Sequence, residues 1–305
     1  MIKFIQRRKI WLSISGAAVA ASVIFLLVWG LKFGIDFTGG SLLEINFINQ
    51  RPSPSEASSV LEDLSLGSLL IQPVDEKGMI LRFQDTTEEK HQETLNRLAK
   101  LSGGENATAS SEIDELRFDS VGPSIGQELK EKSLTAIVLV VVFIVLYIAW
   151  CFRRVSRPVE SWKYGVAAVI ALFHDVIITI GVFSFLGEFY GVEINSAFVA
   201  AILTVLGYSV NDTIVVFDRI RENLPKSDTD FEETVNLSIN QTIVRSIYTS
   251  ATVLLVLFAI LAFGGPSIRA FVFALAVGVF VGTYSSIFIA SPLLVIWEKL
   301  KFEKK

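Results

Sequence analysis

The 305-residue sequence predicts an α-helical membrane protein of six transmembrane helices, with an α+β domain set between helices 1 and 2. Three observations carry this: a mean hydropathy of +0.54 with 51% hydrophobic residues, six apolar runs of membrane length, and an uneven distribution of charge. Hydropathy this high excludes an ordinary soluble protein. Yet 19% of residues are charged, close to the soluble average, so the charges must be concentrated. Residues 32–132 hold 10 Lys/Arg and 18 Asp/Glu, a net of −8; the remainder holds 17 basic and 13 acidic residues, a net of +4. An acidic soluble domain is therefore inserted into a membrane part with basic flanks. Disorder, a disulfide scaffold and nucleic-acid binding through net basicity are excluded as main readings. The single cysteine, Cys151, permits no internal disulfide.

A hydrocarbon layer about 30 Å thick is crossed by ~20 apolar residues in a helix. Residues 10–31, 133–152, 164–187, 194–217, 246–265 and 270–297 satisfy that condition, and Pro292 predicts a kink near the end of the sixth span. The first run has a basic start, but it is longer than the ~7–15 apolar residues of a cleaved signal, so it reads as an anchor. Lys and Arg near the span ends set orientation. Lys3, Arg7, Arg8 and Lys9 precede the first span. Arg153, Arg154, Arg157 and Lys163 lie between the second and third, and Arg219, Arg221, Lys226 and Arg245 between the fourth and fifth. Lys299, Lys301, Lys304 and Lys305 follow the sixth, whereas 188–193 has no basic residue and 264–269 only Arg269. Both termini are expected in the cytoplasm and 32–132 outside. The expected division is 1–31 with the first helix, 32–132 exterior, 133–297 with five helices and a cytoplasmic amphipathic segment at 218–245, and a tail at 298–305.

The exterior domain has its own periodicity. Residues 41–48 are apolar and β-prone, and 54–65 place Ala57, Val60, Leu61 and Leu64 at helical spacing. Residues 68–74 and 79–83 read as strands around a turn at 75–78. Thr86 with Glu89 has the pattern of a capping box opening a helix through Leu95, Leu98 and Leu101. Residues 112–118 alternate as a last strand. The order β-α-β-β-α-β is the split βαβ arrangement of ferredoxin-like domains.

No soluble-enzyme signature is present: no P-loop, no HExxH, no cysteine cluster, and only two histidines, His91 and His174. No metal and no cofactor are expected, and the chain reads as no enzyme. His91 is expected on an exposed, charged helix surface, and Cys151 as a small apolar packing residue. The informative residues are the ionisable ones inside the spans: Asp175, Asp212 and the adjacent His174. A charge at helix centre costs ~2.5–3.5 kcal/mol on insertion scales and is by default a functional candidate. At 1.5 Å per residue, Asp175 lies roughly 16 Å from the cytoplasmic start of the third helix, and Asp212 roughly 8 Å from the cytoplasmic end of the fourth. Should the fifth helix begin earlier, near Asn240, Arg245 would be submerged and able to pair with Asp212. An arginine that moves against a carboxylate switches its proton affinity, the minimum needed for a proton relay. The plain alternatives are a structural Asp212 held by its polar neighbours Tyr208, Ser209, Asn211 and Thr213, and a static Asp212–Arg245 pair. His174 and Asp175, as sequence neighbours, point to different helix faces.

Two glycine-rich runs flank the exterior domain, with Asp36, Gly39 and Gly40 in the first and Gly122, Pro123 and Gly126 in the second. They read as stiff stems. Small residues mark close-packing faces: Ser196, Ala197, Ala200, Ala201 and Thr204 in the fourth span, and Ala274, Gly278, Gly282 and Ser286 at four-residue intervals in the sixth. Residues 218–240 read as an interfacial helix, with a polar loop an equal alternative for 225–230.

The runs GIDFTGG at 34–40, VGPSIG at 121–126 and GYSVNDTIVVFDRIRE at 207–222 resemble the SecF family, membrane subunits of the bacterial Sec protein-export machinery within the resistance–nodulation–division superfamily. The 34–40 run is shared with the sister subunit SecD. The resemblance implies a multi-pass protein of the bacterial inner membrane, without enzymatic activity. It also implies a complex with SecD that uses the proton-motive force to draw preproteins out of SecYEG after the SecA step. Within that family an Asp of the fourth helix and an Arg at the start of the fifth are tied to ion coupling; they match Asp212 and Arg245. Whether the ion is a proton or sodium stays open. Half of a small-molecule or lipid exporter of the same superfamily is the alternative, disfavoured by the short 187–193 connection. A purely structural assembly subunit with static charges is a third.

Overall fold

The computed structural model describes residues 2–84, 86–153 and 159–302. Of the basic residues used to set orientation, Arg154, Arg157, Lys304 and Lys305 lie outside the described residues. The chain divides into two compact units, Phe33–Ser133 and the combination of Met1–Lys32 with Leu134–Lys305.

The inserted unit opens with the short helix α2 (Ile35–Thr38) and strand β1 (Gly40–Phe47). It continues with α3 (Pro54–Leu61), β2 (Leu70–Val74), β3 (Gly78–Phe83), α4 (Glu88–Gly103), α5 (Ala109–Glu112) and β4 (Ile113–Val121). The sheet runs β2-β3-β1-β4, with every neighbouring pair antiparallel. β3 therefore lies between β1 and β2, which is the ferredoxin-like split βαβ order. Alternate side chains of β1 and β3, namely Leu43, Ile45, Phe47, Met79, Leu81 and Phe83, meet Ala57, Leu61, Leu95 and Leu98 from the helices in one core. Ser53 caps α3 by accepting from the Glu56 N–H, and Glu56 returns the bond to the Ser53 N–H at 2.9 Å. The expected Thr86 box does not form: Thr87 is the N-cap of α4 and makes no side-chain cap bond. A one-residue slip between β1 and β4 falls at Leu116, whose side chain is exposed.

His91 departs from its expected surface position. It is 3% exposed, and its ring stacks on Phe118 with centroids 3.8 Å apart. Nδ1 lies 3.2 Å from Glu88 and Nε2 3.3 Å from Glu115. The cause is helical spacing: His91 shares the face of Leu95 and Leu98, so α4 turns it toward the sheet.

Among the described residues, six helices are long and apolar enough to cross a membrane. The first, α1 (Arg8–Val28), precedes the inserted unit; the others are α6 (Pro123–Cys151), α7 (Ser161–Tyr190), α8 (Ser196–Asn223), α9 (Phe231–Phe263) and α10 (Pro266–Ser285). A π turn over Ser286–Ala290 joins α10 to α11 (Ser291–Phe302), so these pieces together make the sixth span. The break comes where Pro292 was expected to kink the helix. Proline has no N–H to return to the carbonyl one turn back, and the widened turn just before it absorbs the mismatch.

The four-residue stripe of the sixth span faces α8. A Cβ on Gly278 would stand 2.1 Å from a Val205 methyl, and one on Gly282 would stand 2.9 Å from Ser209 Cβ. Glycine at these positions lets two backbones approach as small residues do in membrane helix pairs. α7 approaches α1 in the same way, through Gly181 against Ser22.

The separate interfacial helix expected at 218–240 is absent. Residues 218–223 complete α8, 224–226 form a 3-10 turn, and α9 runs unbroken from Phe231. Asp230 caps its start by accepting from Glu233 N–H at 2.7 Å, and no Gly or Pro interrupts the chain before the apolar stretch. Its polar first turns have internal partners. Asn236 accepts from Phe4 N–H at 2.9 Å and donates to Ile2 O, Asn240 also donates to Ile2 O, and Glu232 pairs with Arg8 at 2.8 Å and with Lys299.

Candidate functional site: two carboxylates held by serines

Asp175 lies on α7 and is completely buried. Its Oδ2 accepts from Ser209 Oγ of α8 at 2.5 Å and from Ser285 Oγ, the last residue of α10, at 2.8 Å. Its Oδ1 lies 2.9 Å from His174 Nδ1. The two sequence neighbours thus touch, although they were expected on different faces. His174 is 7% exposed, its ring lies 6.3 Å from that of Tyr284, and Nε2 has no hydrogen-bond partner among the described residues.

Asp212 lies on α8, three positions after Ser209, and is 9% exposed. Oδ1 accepts from Ser246 Oγ of α9 at 2.6 Å, and Oδ2 accepts from Ser286 Oγ, the first residue of the π turn. Four hydroxyls from three helices and the π turn therefore hold two carboxylates. A hydroxyl can donate to an ionised carboxylate or accept from a protonated one. This shell thus accommodates a carboxyl group in either protonation state without exchanging partners.

Arg245 does not pair with Asp212. α9 starts well before Asn240, so Arg245 is inside the helix as expected, but its side chain is exposed and has no carboxylate partner among the described residues. Its neighbour Ser246 occupies the face turned to Asp212. Adjacent helical positions diverge by about 100°, so Ser246 rather than Arg245 takes the hydrogen bond to the carboxylate, while the guanidinium charge stays near enough to act on it. Sequence reasoning named Ser286 only as a packing residue and Ser209 only as one of the polar neighbours of Asp212, and passed over Ser246 and Ser285. Lone serines in apolar helices look like small packing residues; the signal that could have found them is helical phase, since Ser209 lies one turn from Asp212 on the same face. Among the described residues, no group of three or more His, Cys, Asp or Glu side chains could hold a metal.

The stem residues belong to the inserted unit. Asp36 lies in the first turn of α2. Gly39 has φ +74, and a Cβ there would stand 2.7 Å from Pro123 Cα; Gly40 has φ +120, with Phe83 O equally near. Gly122 O accepts from Ile125 and Gly126 N–H groups, Pro123 starts α6, and a Cβ on Gly126 would press on Gly39 N at 3.0 Å. The two glycine-rich runs thus clasp each other, and part of the second is helix rather than turn.

With this geometry in place, the chain can be set beside known proteins. The family model described as protein export membrane protein SecD/SecF, C-terminal, matches residues 102–300, and the SecD/SecF GG motif matches 24–47. The chain belongs to the SecD/SecF family. The first match contains Asp175, Asp212 and Arg245, and the second contains Asp36, Gly39 and Gly40. The protein translocase subunit SecF of Thermobaculum terrenum is 41% identical, over 99% of this chain and 96% of its own. That of Anaerolinea thermophila is 38% identical, over 98% and 94%. The crystal structure of SecDF from Thermus thermophilus, a translocon-associated membrane protein, superposes with a TM-score of 0.79 at 34% identity. It matches 98% of this chain, which spans only 39% of the SecDF chain. The protein is a multi-pass membrane member of this family.

Proposed function

We propose that the chain is an auxiliary subunit of the Sec protein translocase, a transport subunit and not an enzyme. It works with SecD beside SecYEG in the bacterial inner membrane, with both termini cytoplasmic and the inserted domain outside. It uses the proton-motive force to promote export after the SecA step. The observation that carries the reading is a carboxylate, Asp212, buried among apolar helices, with hydroxyls as its hydrogen-bond partners among the described residues, in a chain of the protein-export family. Such a group is costly in a membrane unless it has work to do. Asp212 takes up and releases the proton, and Arg245 on the neighbouring helix moves relative to it. Asp175 and His174 complete the polar path through the bundle, and the inserted domain shifts against its partner. The clasped stems, Gly39 against Pro123 and Gly126, support the reading of the domain as an element that moves as one piece.

The test is export into inverted membrane vesicles with and without a proton gradient. Asp212→Asn, assembled at wild-type level, is expected to abolish the gradient-dependent stimulation. Full stimulation in that variant refutes the proposal.

A further inference from the structure

Ser285 and Ser286 are consecutive, yet they serve different carboxylates on different helices. Ser285 donates to Asp175 of α7 and Ser286 to Asp212 of α8. Each hydroxyl also has a second acceptor in its own chain: Gly282 O at 3.1 Å for Ser285 and Thr283 O at 3.0 Å for Ser286. A hydroxyl carries one proton, so it favours one acceptor at a time. The pair stands where α10 gives way to the π turn, an irregularity often found at functional sites. Ser209 ties the same assembly together from α8, donating to Asp175 while its backbone lies one turn from Asp212.

We propose that Ser285 and Ser286 are positioning residues that couple Asp175 to Asp212, so that the two carboxylates gain and lose protons as one unit with His174 at its inner end. This rests on the reading of Asp212 as a proton carrier. When a proton from water binds Asp212 Oδ2, the new carboxyl O–H donates to Ser286 Oγ, and the Ser286 hydroxyl proton turns to Thr283 O. No covalent bond of the serine breaks, and the site gains one proton. Ser285 and Ser286 share a peptide group at the helix-to-π junction. A shift that reorients Ser286 therefore displaces Ser285 against Asp175.

Among the described residues, the other titratable groups that act on the two carboxylates are His174 and Arg245. His174 lies on α7. Tyr208 of α8 is engaged with Ser250, and Tyr284 of α10 with Trp11 O and Ser15. Arg245 of α9 is exposed beside Ser246. α1 carries charge only at Arg8 and Lys9, and α11 has Glu298 and Lys299 toward its end.

The experiment is pH-difference infrared spectroscopy of the full chain in membranes, following the protonated-carboxyl band that Asp212→Asn removes. Asp175→Asn is expected to move the Asp212 titration midpoint by about one pH unit or more, the scale that marks coupled sites. In the Ser285→Ala, Ser286→Ala background the same replacement should leave the midpoint where that background sets it. Ser286→Thr, which keeps a hydroxyl, should preserve the effect and report that the fold is intact. The proposal is overturned if Asp175→Asn leaves the midpoint unmoved in the wild-type background, or moves it equally with and without the serines. These are titration readouts, so loss of gradient-dependent export in Asp212→Asn can stand even where the coupling fails.

Discussion

His91 of the inserted domain and Asp175 of the membrane unit are both buried titratable side chains, and their surroundings differ in kind. His91 stacks on Phe118 between two carboxylates, Glu88 and Glu115, that reach solvent. Asp175 and Asp212 meet serine hydroxyls and one imidazole, and no lysine or arginine pairs with them among the described residues. The domain can place carboxylates beside a buried ring because they reach water, which absorbs whatever charge is left uncompensated. In the membrane unit an ammonium or guanidinium would itself have to be buried, at a cost its attraction does not always return. Hydroxyls stabilise a carboxylate while leaving it free to change its proton count. The contrast separates charge used for packing from charge available for work.

Each half of that contrast can be broken by substitution, beginning with the largest effect. Asp175→Leu leaves His174 Nδ1 and Ser209 Oγ without their acceptor, each at roughly 1–3 kcal/mol. Melting of the purified full chain should fall well below wild type, while Asp175→Asn, which keeps an acceptor oxygen, falls much less. Next is Leu98→Ala in the domain core, where Leu98 is fully buried. A loss of about 2–5 kcal/mol is expected, read as faster amide exchange over β1 and β3 with the membrane helices unaffected. Glu115→Ala should cost under about 1 kcal/mol, because its 3.3 Å contact with His91 is partly solvated. A loss as large as that of Asp175→Leu would erase the distinction.

The smallest effect is acid sensitivity of the domain. Hydrogen bonds from Gln92 and then His91 hold Glu88 below its ordinary value near 4.5, and Ser53 does the same for Glu56. A lowered folded-state value contributes stability above the unfolded value and loses it as pH falls through the folded one. Exchange protection at the starts of α3 and α4 should therefore be constant near neutrality and weaken below about pH 4.5.

Much of this architecture was legible in the sequence, for definite reasons. The spans stood out because a membrane core imposes length and apolarity, and the strand–helix order because alternation and helical spacing differ. Asp175 and Asp212 stood out as charges in apolar runs. Helix ends were less legible. Asn236 and Asn240 look like loop residues until the N-terminal backbone they hold is in view, so α9 begins earlier than its hydropathy indicates. The serine shell was hidden because each serine comes from a different element or a different turn, and the π turn because only Pro292 marks it. The orientation of Arg245 depends on helix phase relative to α8, which the sequence of α9 alone does not contain. His91 was missed because charge outweighed its spacing to Leu95 and Leu98.

The most direct test of the central claim is proton flux across vesicles carrying the intact complex, with wild type and Asp212→Asn at equal amounts. If Asp212 carries the proton, the wild type shows gradient-driven flux and the variant falls to the level of vesicles without the complex. Equal flux in the two would contradict the account.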